Sequence, residues 1–253
     1  MRLLLKPFHW LYIIWAFALF IALMIPVFIW SVLVSPFGRI SGGNLIYRAC
    51  MLWADIWYFL VAIWHKNIYE QPLQKGISYI FVSNHTSYMD IPAIVKSFRV
   101  PLRPLAKAET AKVPIFGYIY KNVIVSVERT SPENRAKSVI LLKSTIQKGV
   151  SVLVFPEGTF NETSNPLKDF YDGAFRIAIE TGTPIKPVIM LDNFHRLHYS
   201  SIFSLTPGRS RTVFLKEVPT DGYTLDDVKQ LKEHVYRLME SKLIEYKAPW
   251  IKD

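Results

Sequence analysis

The segment Ser83-Asn84-His85-Thr86-Ser87-Tyr88-Met89-Asp90 holds the first residue types able to do chemistry. A histidine can act as a general base near neutral pH. A carboxylate five residues later, Asp90, can fold back through one turn and accept the imidazole Nδ1–H. It then fixes the tautomer and stabilises the imidazolium. Read without context, the same residues are a capping Asn-His pair and an unrelated Asp. A second group is Val152-Leu153-Val154-Phe155-Pro156-Glu157-Gly158-Thr159, a strand-like run ending in a carboxylate, a glycine and a hydroxyl. Glycine lets a backbone approach a ligand closely, although an ordinary β-turn has the same composition. A third runs from Lys107 through Pro114-x-x-Gly117 to Glu128-Arg129. Its cations could clamp a phosphate, arginine bidentately, or simply face solvent.

These groups need a scaffold. Short β-rich runs recur at Ser78–Ser83, Val123–Val127, Val150–Phe155, Ile185–Leu191 and Thr212–Val218. Helical stretches lie between them. One starts at Ser131-Pro132-Glu133, with proline at the first helical position, and stops at Gly149. Another runs from Gly173 to Thr181 and stops at Gly182, and a last one follows Thr224-Leu225-Asp226-Asp227, a capping box with Asp in place of Glu, to about Tyr246. Alternating strands and helices predict an α/β domain, a sheet covered by helices on both faces. In such sheets ligands bind at the carboxyl ends of strands, where the first two groups sit.

The 253 residues are 51% apolar and 14% aromatic, which excludes an intrinsically disordered chain. One cysteine, Cys50, excludes a disulfide framework and a cysteine-built metal site. The formal net charge of +10 favours an anionic partner, and the mean hydropathy of +0.19 points to a membrane rather than nucleic acid. The basic residues are scattered, not striped, which argues against a nucleic-acid face. No G-x-S-x-G, G-x-x-x-x-G-K-[ST] or G-x-G-x-x-G occurs. His195-x-x-His198 lacks a companion carboxylate pattern, so no metal is expected.

Leu11–Val34 carries no charge and would span roughly 36 Å as a helix, enough for a bilayer core. No small-x-small cleavage site follows it. Pro26 should kink it, so a straight span competes with a re-entrant hairpin. The hairpin is preferred: Arg2 and Lys6 precede the run, Arg39 and Arg48 follow it, and a re-entrant leader keeps both basic ends cytoplasmic. Ala49–Trp64, with Asp55, Trp53, Trp57 and Trp64, suits either the headgroup level or a buried helix.

Taken together and in order, these segments resemble the glycerolipid acyltransferase family, typified by the 1-acylglycerol-3-phosphate acyltransferases. The resemblance covers roughly residues 70–220. His85 and Asp90 match its N-H-x4-D block; Lys107, Pro114, Gly117 and Arg129 its second; Phe155-Pro156-Glu157-Gly158-Thr159 its F-P-E-G-T block; and Thr183-Pro184-Ile185-Lys186-Pro187-Val188 its fourth. The resemblance implies a mixed sheet flanked by helices, with residues 1–65 as an N-terminal hydrophobic helical membrane anchor and 66–253 as the catalytic domain; the +10 charge, set against anionic substrates and an anionic inner leaflet, predicts that this domain lies on the cytoplasmic face. It implies acyl transfer from acyl-CoA or acyl-carrier protein to a lysophospholipid hydroxyl, the thioester being a co-substrate and no cofactor being needed. His85 and Asp90 would be catalytic, and Lys107, Arg129, Glu157, Gly158 and Thr159 would bind the acceptor. The family commonly has Arg after F-P-E-G-T, where this chain has Phe160. Lysophosphatidate is the first expectation for the acceptor, and another lysolipid is the alternative. A transacylase on the same scaffold, or a non-catalytic basic membrane-binding protein, are the competing readings.

Overall fold

The computed structural model describes residues 6–107, 109, 113–127 and 132–252. The chain opens with a helical hairpin, α1 (Lys6–Val34) and α2 (Ser41–Leu60). Then come β1 (Ile63–Tyr69), β2 (Ile80–Ser83), α3 (Asp90–Ser97), β3 (Leu102–Lys107), α4 (Phe116–Val123) and β4 (Val125–Val127). The rest is α5 (Pro132–Gln147), β5 (Ser151–Val154), α6 (Gly173–Thr181), β6 (Ile185–Met190), α7 (Asn193–Arg196), β7 (Gly208–Phe214) and α8 (Val228–Glu245).

The strands form one mixed sheet in the order β1-β7-β6-β2-β5-β3-β4. β6, β2, β5, β3 and β4 are mutually parallel, and β7 joins β6 antiparallel and carries β1 parallel to itself. Alternate side chains of each strand point to opposite faces. Phe81, Leu153, Val188 and Phe214 meet α1, α2, α3 and α4, while Ile80, Val82, Val152 and Ile189 meet α5, α6 and α8. Strands buried on both faces read as unbroken apolar runs, which is why β2, β5 and β6 were visible in the sequence.

α1 runs through Pro26 without a break, and the chain reverses instead at Ser35-Pro36-Phe37-Gly38, where Gly38 takes φ +84°. The re-entrant turn expected at Pro26 does not form; Leu11–Val34 is one unbroken arm, and the hairpin that does form pairs it with α2. That helix buries Ile46, Tyr47, Cys50, Trp53, Ala54, Trp57 and Tyr58 along one stripe, the spacing of a core helix. Trp57 Nε1–H donates to the Ala16 carbonyl at 2.9 Å, and the Phe20 and Trp53 rings meet edge-on at 4.8 Å. The Arg103 guanidinium, buried in β3, reaches the start of α2 and donates to the carbonyls of Arg39 and Ile40 and to Asn44 Oδ1. Gly43 leaves room for it: a Cβ there would lie 2.5 Å from Arg103 Nη2. The hairpin is thus part of the main body.

β1 and β3 lie outside the five expected strands, and two of those five have clearly different bounds. The last strand is Gly208–Phe214 rather than Thr212–Val218: it pairs along its whole length with the partly solvent-facing β1, and its first half tolerates Arg209, Ser210 and Arg211. The apolar run from residue 123 begins as the end of α4, and only Val125–Val127 is strand. Gly149 and Gly182 end α5 and α6 with φ +77° and +60°, and the Thr224–Asp227 capping box forms.

Candidate active site

His85 lies just past the carboxyl end of β2, and Asp90 is the first residue of α3. The turn between them closes on the carboxylate. Asp90 Oδ2 accepts His85 Nδ1–H at 2.8 Å and the backbone N–H groups of Thr86 at 2.9 Å and Ser87 at 3.0 Å. Asp90 is fully buried, and its place at a helix N-terminus favours negative charge. With Nδ1 committed to Asp90, the imidazole carries its basic lone pair on Nε2. The ring is part exposed, with 19% of its side chain accessible, and lines a cavity.

The backbone of His85 is held from both sides. Its N–H donates to Glu157 Oε1 at 2.8 Å, and its carbonyl accepts from the Asn161 N–H at 2.6 Å. Phe155 stacks on the imidazole at 4.1 Å and 16°, and Phe160 meets it edge-on at 4.4 Å. The F-P-E-G-T loop therefore both tethers and sandwiches the histidine. Gly158, with φ +75°, lets this loop turn back toward it.

Glu157 does not line the cavity. Its second oxygen accepts the Lys168 N–H at 2.9 Å, so both oxygens are spent on backbone donors. Burial raises its pKa from the ordinary 4.5 to about 7, against the pull of those two N–H bonds. Gly158 and Thr159 do line the cavity. Lys107 ends β3, its backbone in register with Val127 of β4, while its side chain and all of Arg129 lie outside the described residues.

The cavity has a volume of about 440 Å³, within the roughly 300–1,000 Å³ range of ligand pockets. It runs between the sheet and the helices α1 to α4. Its walls are mainly apolar: Met24 from α1, Cys50 and Trp53 from α2, Ile94 from α3 and Ile119 from α4. His85 stands in its lining with Thr159 and Phe160. An apolar chain held there would bring its polar end to the imidazole.

Some contributors escaped the sequence reading. Asn193, at the start of α7, donates its amide to Asp90 Oδ1 at 2.8 Å and is 1% exposed. The Asn84 amide donates to the Met190 carbonyl and accepts from the Met190 N–H, locking the exit of β2 to the end of β6. Ser87 Oγ–H donates to the Leu197 carbonyl. The available signal was positional: Asp192-Asn193 follows β6 as His85 follows β2. His198 bonds Ser200 and meets the Phe194 ring at 4.6 Å.

The α/β fold thus sets a His–Asp pair at a strand exit beside a mainly apolar cavity, the arrangement of a general base facing an apolar pocket. A family model described as Acyltransferase matches residues 66–191. The chain is similar to the 1-acyl-sn-glycerol-3-phosphate acyltransferase of Cocos nucifera, 23% identical over 246 residues, covering 92% of this chain and 76% of that protein. It is 29% identical over 164 residues to the Homo sapiens 1-acyl-sn-glycerol-3-phosphate acyltransferase alpha, covering 64% of this chain and 57% of that one. Among solved structures, the 1-acyl-sn-glycerophosphate (LPA) acyltransferase PlsC of Thermotoga maritima shares the fold over the whole of both chains, with a TM-score of 0.78 and 22% identity. The chain belongs to the acyltransferase family and is an acyltransferase, which sets aside a purely binding role.

Proposed function

We propose that this enzyme moves a fatty acyl group from an acyl-CoA or acyl-carrier-protein thioester to the free hydroxyl of 1-acyl-sn-glycerol 3-phosphate, giving phosphatidate. The observation that carries the reading is the His85–Asp90 pair, 2.8 Å apart, standing in the wall of an apolar cavity. The relatives, named as 1-acyl-sn-glycerol-3-phosphate acyltransferases, support this acceptor. The acyl chain fits the cavity between α2, α3, α4 and the sheet.

An alcohol is a weak nucleophile at neutral pH. His85 Nε2 takes its proton while the oxygen attacks the thioester carbonyl carbon, and the carbonyl electron pair moves onto the carbonyl oxygen. Asp90 Oδ2 keeps the ring oriented through Nδ1–H and stabilises the imidazolium. Collapse of the tetrahedral species breaks the carbon–sulfur bond, and the departing thiolate takes the proton back from Nε2. The products are an ester and a free thiol. The hydroxyl attacks directly, so no acyl-enzyme forms. Phe155 and Phe160 flank the ring and exclude water from the thioester.

The enzyme would work at a membrane surface. Lys6–Phe37 is long and apolar enough to cross a bilayer, and α1 shows Leu11, Ile14, Ile21, Ile25, Ile29 and Leu33 outward along its length. Yet both ends of α1 are fastened to one body. Tyr12 O–H donates to the Val61 carbonyl and His9 bonds the Phe203 carbonyl at one end; Ser35 bonds the Tyr118 hydroxyl at the other. That arrangement supports a helix lying along one leaflet, with the active site facing the lipids it uses.

The test is thiol release from acyl-CoA in the presence of 1-acylglycerol 3-phosphate, with the product identified by mass spectrometry. Wild type should form phosphatidate and stoichiometric thiol, and His85→Ala should lose at least about a thousandfold in kcat while melting normally. Near-normal turnover by His85→Ala would overturn the mechanism. Product formed without thiol release would make the enzyme a transacylase.

A further inference from the structure

Glu157 ties two backbone positions together. One oxygen accepts the N–H of His85 and the other the N–H of Lys168, so a single buried carboxylate fixes Lys168 relative to the imidazole. The side chain of Lys168 then turns onto the same loop. Its Nζ donates to Thr159 Oγ1 at 2.7 Å and to the Phe160 carbonyl at 3.4 Å. Thr159 and Phe160 line the cavity, and the Phe160 ring touches the His85 ring. The ammonium is thus bonded to two residues of the cavity lining, one of which touches the base.

Its bonding is unfinished. An ammonium has three donors, and both oxygens that meet this one are neutral. Among the described residues no carboxylate pairs with it within salt-bridge distance. Thr159 is exposed and uses its oxygen to accept from Lys168, and among the described residues its own O–H has no acceptor. Phe160, next along the loop, brings no charge. A cation with a spare donor and a hydroxyl with a spare proton, side by side at this lining, suit an oxyanion. In the acceptor proposed above, the reacting hydroxyl and the phosphate sit on adjacent carbons. A hydroxyl poised at His85 Nε2 places its phosphate at this site.

We infer that Lys168, with the Thr159 hydroxyl, is the headgroup anion site of this enzyme and sets its preference for a phosphate-bearing acceptor. The inference rests on the proposed lysophosphatidate reading and adds the residue that selects the headgroup. Charge-assisted bonds to phosphate are about twice as strong as neutral ones, so the cation carries most of the discrimination.

The experiment uses the full-length protein with one acyl-CoA donor and two acceptors, 1-acylglycerol 3-phosphate and the corresponding monoacylglycerol, which keeps the hydroxyl and lacks the phosphate. The readout is the ratio of kcat/KM for the two. In wild type the phosphate acceptor should be favoured at least tenfold. Lys168→Met should reduce that ratio about tenfold or more, chiefly through KM for the phosphate acceptor, and Lys168→Arg should retain most of it. A Lys168→Met ratio within twofold of wild type overturns the inference while leaving the enzyme's reaction intact. So does a wild type that does not distinguish the two acceptors. A wild type that acylates neither overturns the acceptor assignment itself, and the inference falls with it.

Discussion

Asn193 donates its side-chain amide to Asp90 Oδ1 across 2.8 Å, closing the one side of the carboxylate that the His85 turn leaves open. The three donors from the turn all converge on Oδ2. Asn193 therefore decides the rotation of the carboxylate about its Cβ–Cγ bond, and through it the tilt of the imidazole. The Ser210 hydroxyl lies 3.5 Å behind its carbonyl oxygen and backs the amide in this sense. An unpaired buried acceptor costs about 1–3 kcal/mol. Asn193→Ala is expected to lower kcat roughly 10- to 100-fold, because the cost falls on the orientation of the base. KM for both substrates should stay within about twofold. Steady-state kinetics with each substrate varied check this; a loss confined to KM would place Asn193 outside the catalytic geometry.

Glu157 makes a different claim on the same loop. Replacement by Gln keeps the volume but supplies one acceptor oxygen and an NH2 group, so one of the two N–H donors from His85 and Lys168 meets another donor. Glu157→Gln is expected to lose about 1–3 kcal/mol of stability and to reduce kcat. The gap also depends on pH. The folded protein holds the Glu157 proton up to about 7, whereas the unfolded chain releases it near 4.5. Wild type therefore loses stability as pH rises from 4.5 to 7, and the variant lacks that loss. Thermal melts at pH 4.5 and pH 7 should show the two proteins closer together at the higher pH.

His65 acts with the opposite sign. Burial pulls its basicity from 6.5 down to about 4, and its ring bonds Ser210 at 3.0 Å and Asn67 at 2.8 Å. The unfolded chain takes up a proton near 6.5 and the folded one only near 4. Stability from this group is present above pH 6.5 and is lost as pH falls toward 4. His65→Gln should flatten the fall in melting temperature between pH 6.5 and 4; an unchanged slope would show that other groups control acid sensitivity.

Much of this was legible in the residues, for physical reasons. β2, β5 and β6 are buried on both faces and announce themselves as apolar runs, and the groups at their exits, His85–Asp90 and Phe155–Thr159, are the ones that meet. β1 was missed because His65, Lys66 and Asn67 interrupt its apolar pattern at a sheet edge. Asn193 was invisible because its partner lies 103 residues away, and only the crossing of β6 beside β2 joins them. The outward and inward faces of α1 were equally illegible: apolar residues surround it, so no periodicity separates Ile13, Ala16 and Val27, which pack inward, from Leu11, Ile14 and Ile25. Glu157 was read as a ligand for the acceptor, and its type was compatible with that; its neighbours Gly158 and Thr159 reach the cavity while its carboxylate turns into the loop.

The disposition of α1 gives the last expectation. A helix of 29 residues is about 44 Å long, more than a bilayer core requires, so length alone would allow it to cross. Its attachments favour the proposed placement along one leaflet. The first turns are held to Val61 and Phe203 and the last to Tyr118, all on the catalytic body, and a crossing helix would have to give up one set. Phe8 and Phe37 stand near the two ends and are 70% and 66% exposed. In membranes of defined sidedness, with Cys50→Ala as background, Phe8→Cys and Phe37→Cys should both react with an impermeant maleimide from the side that holds the active site. Labelling of the two positions from opposite sides would establish a crossing helix and require the hairpin to detach from the sheet.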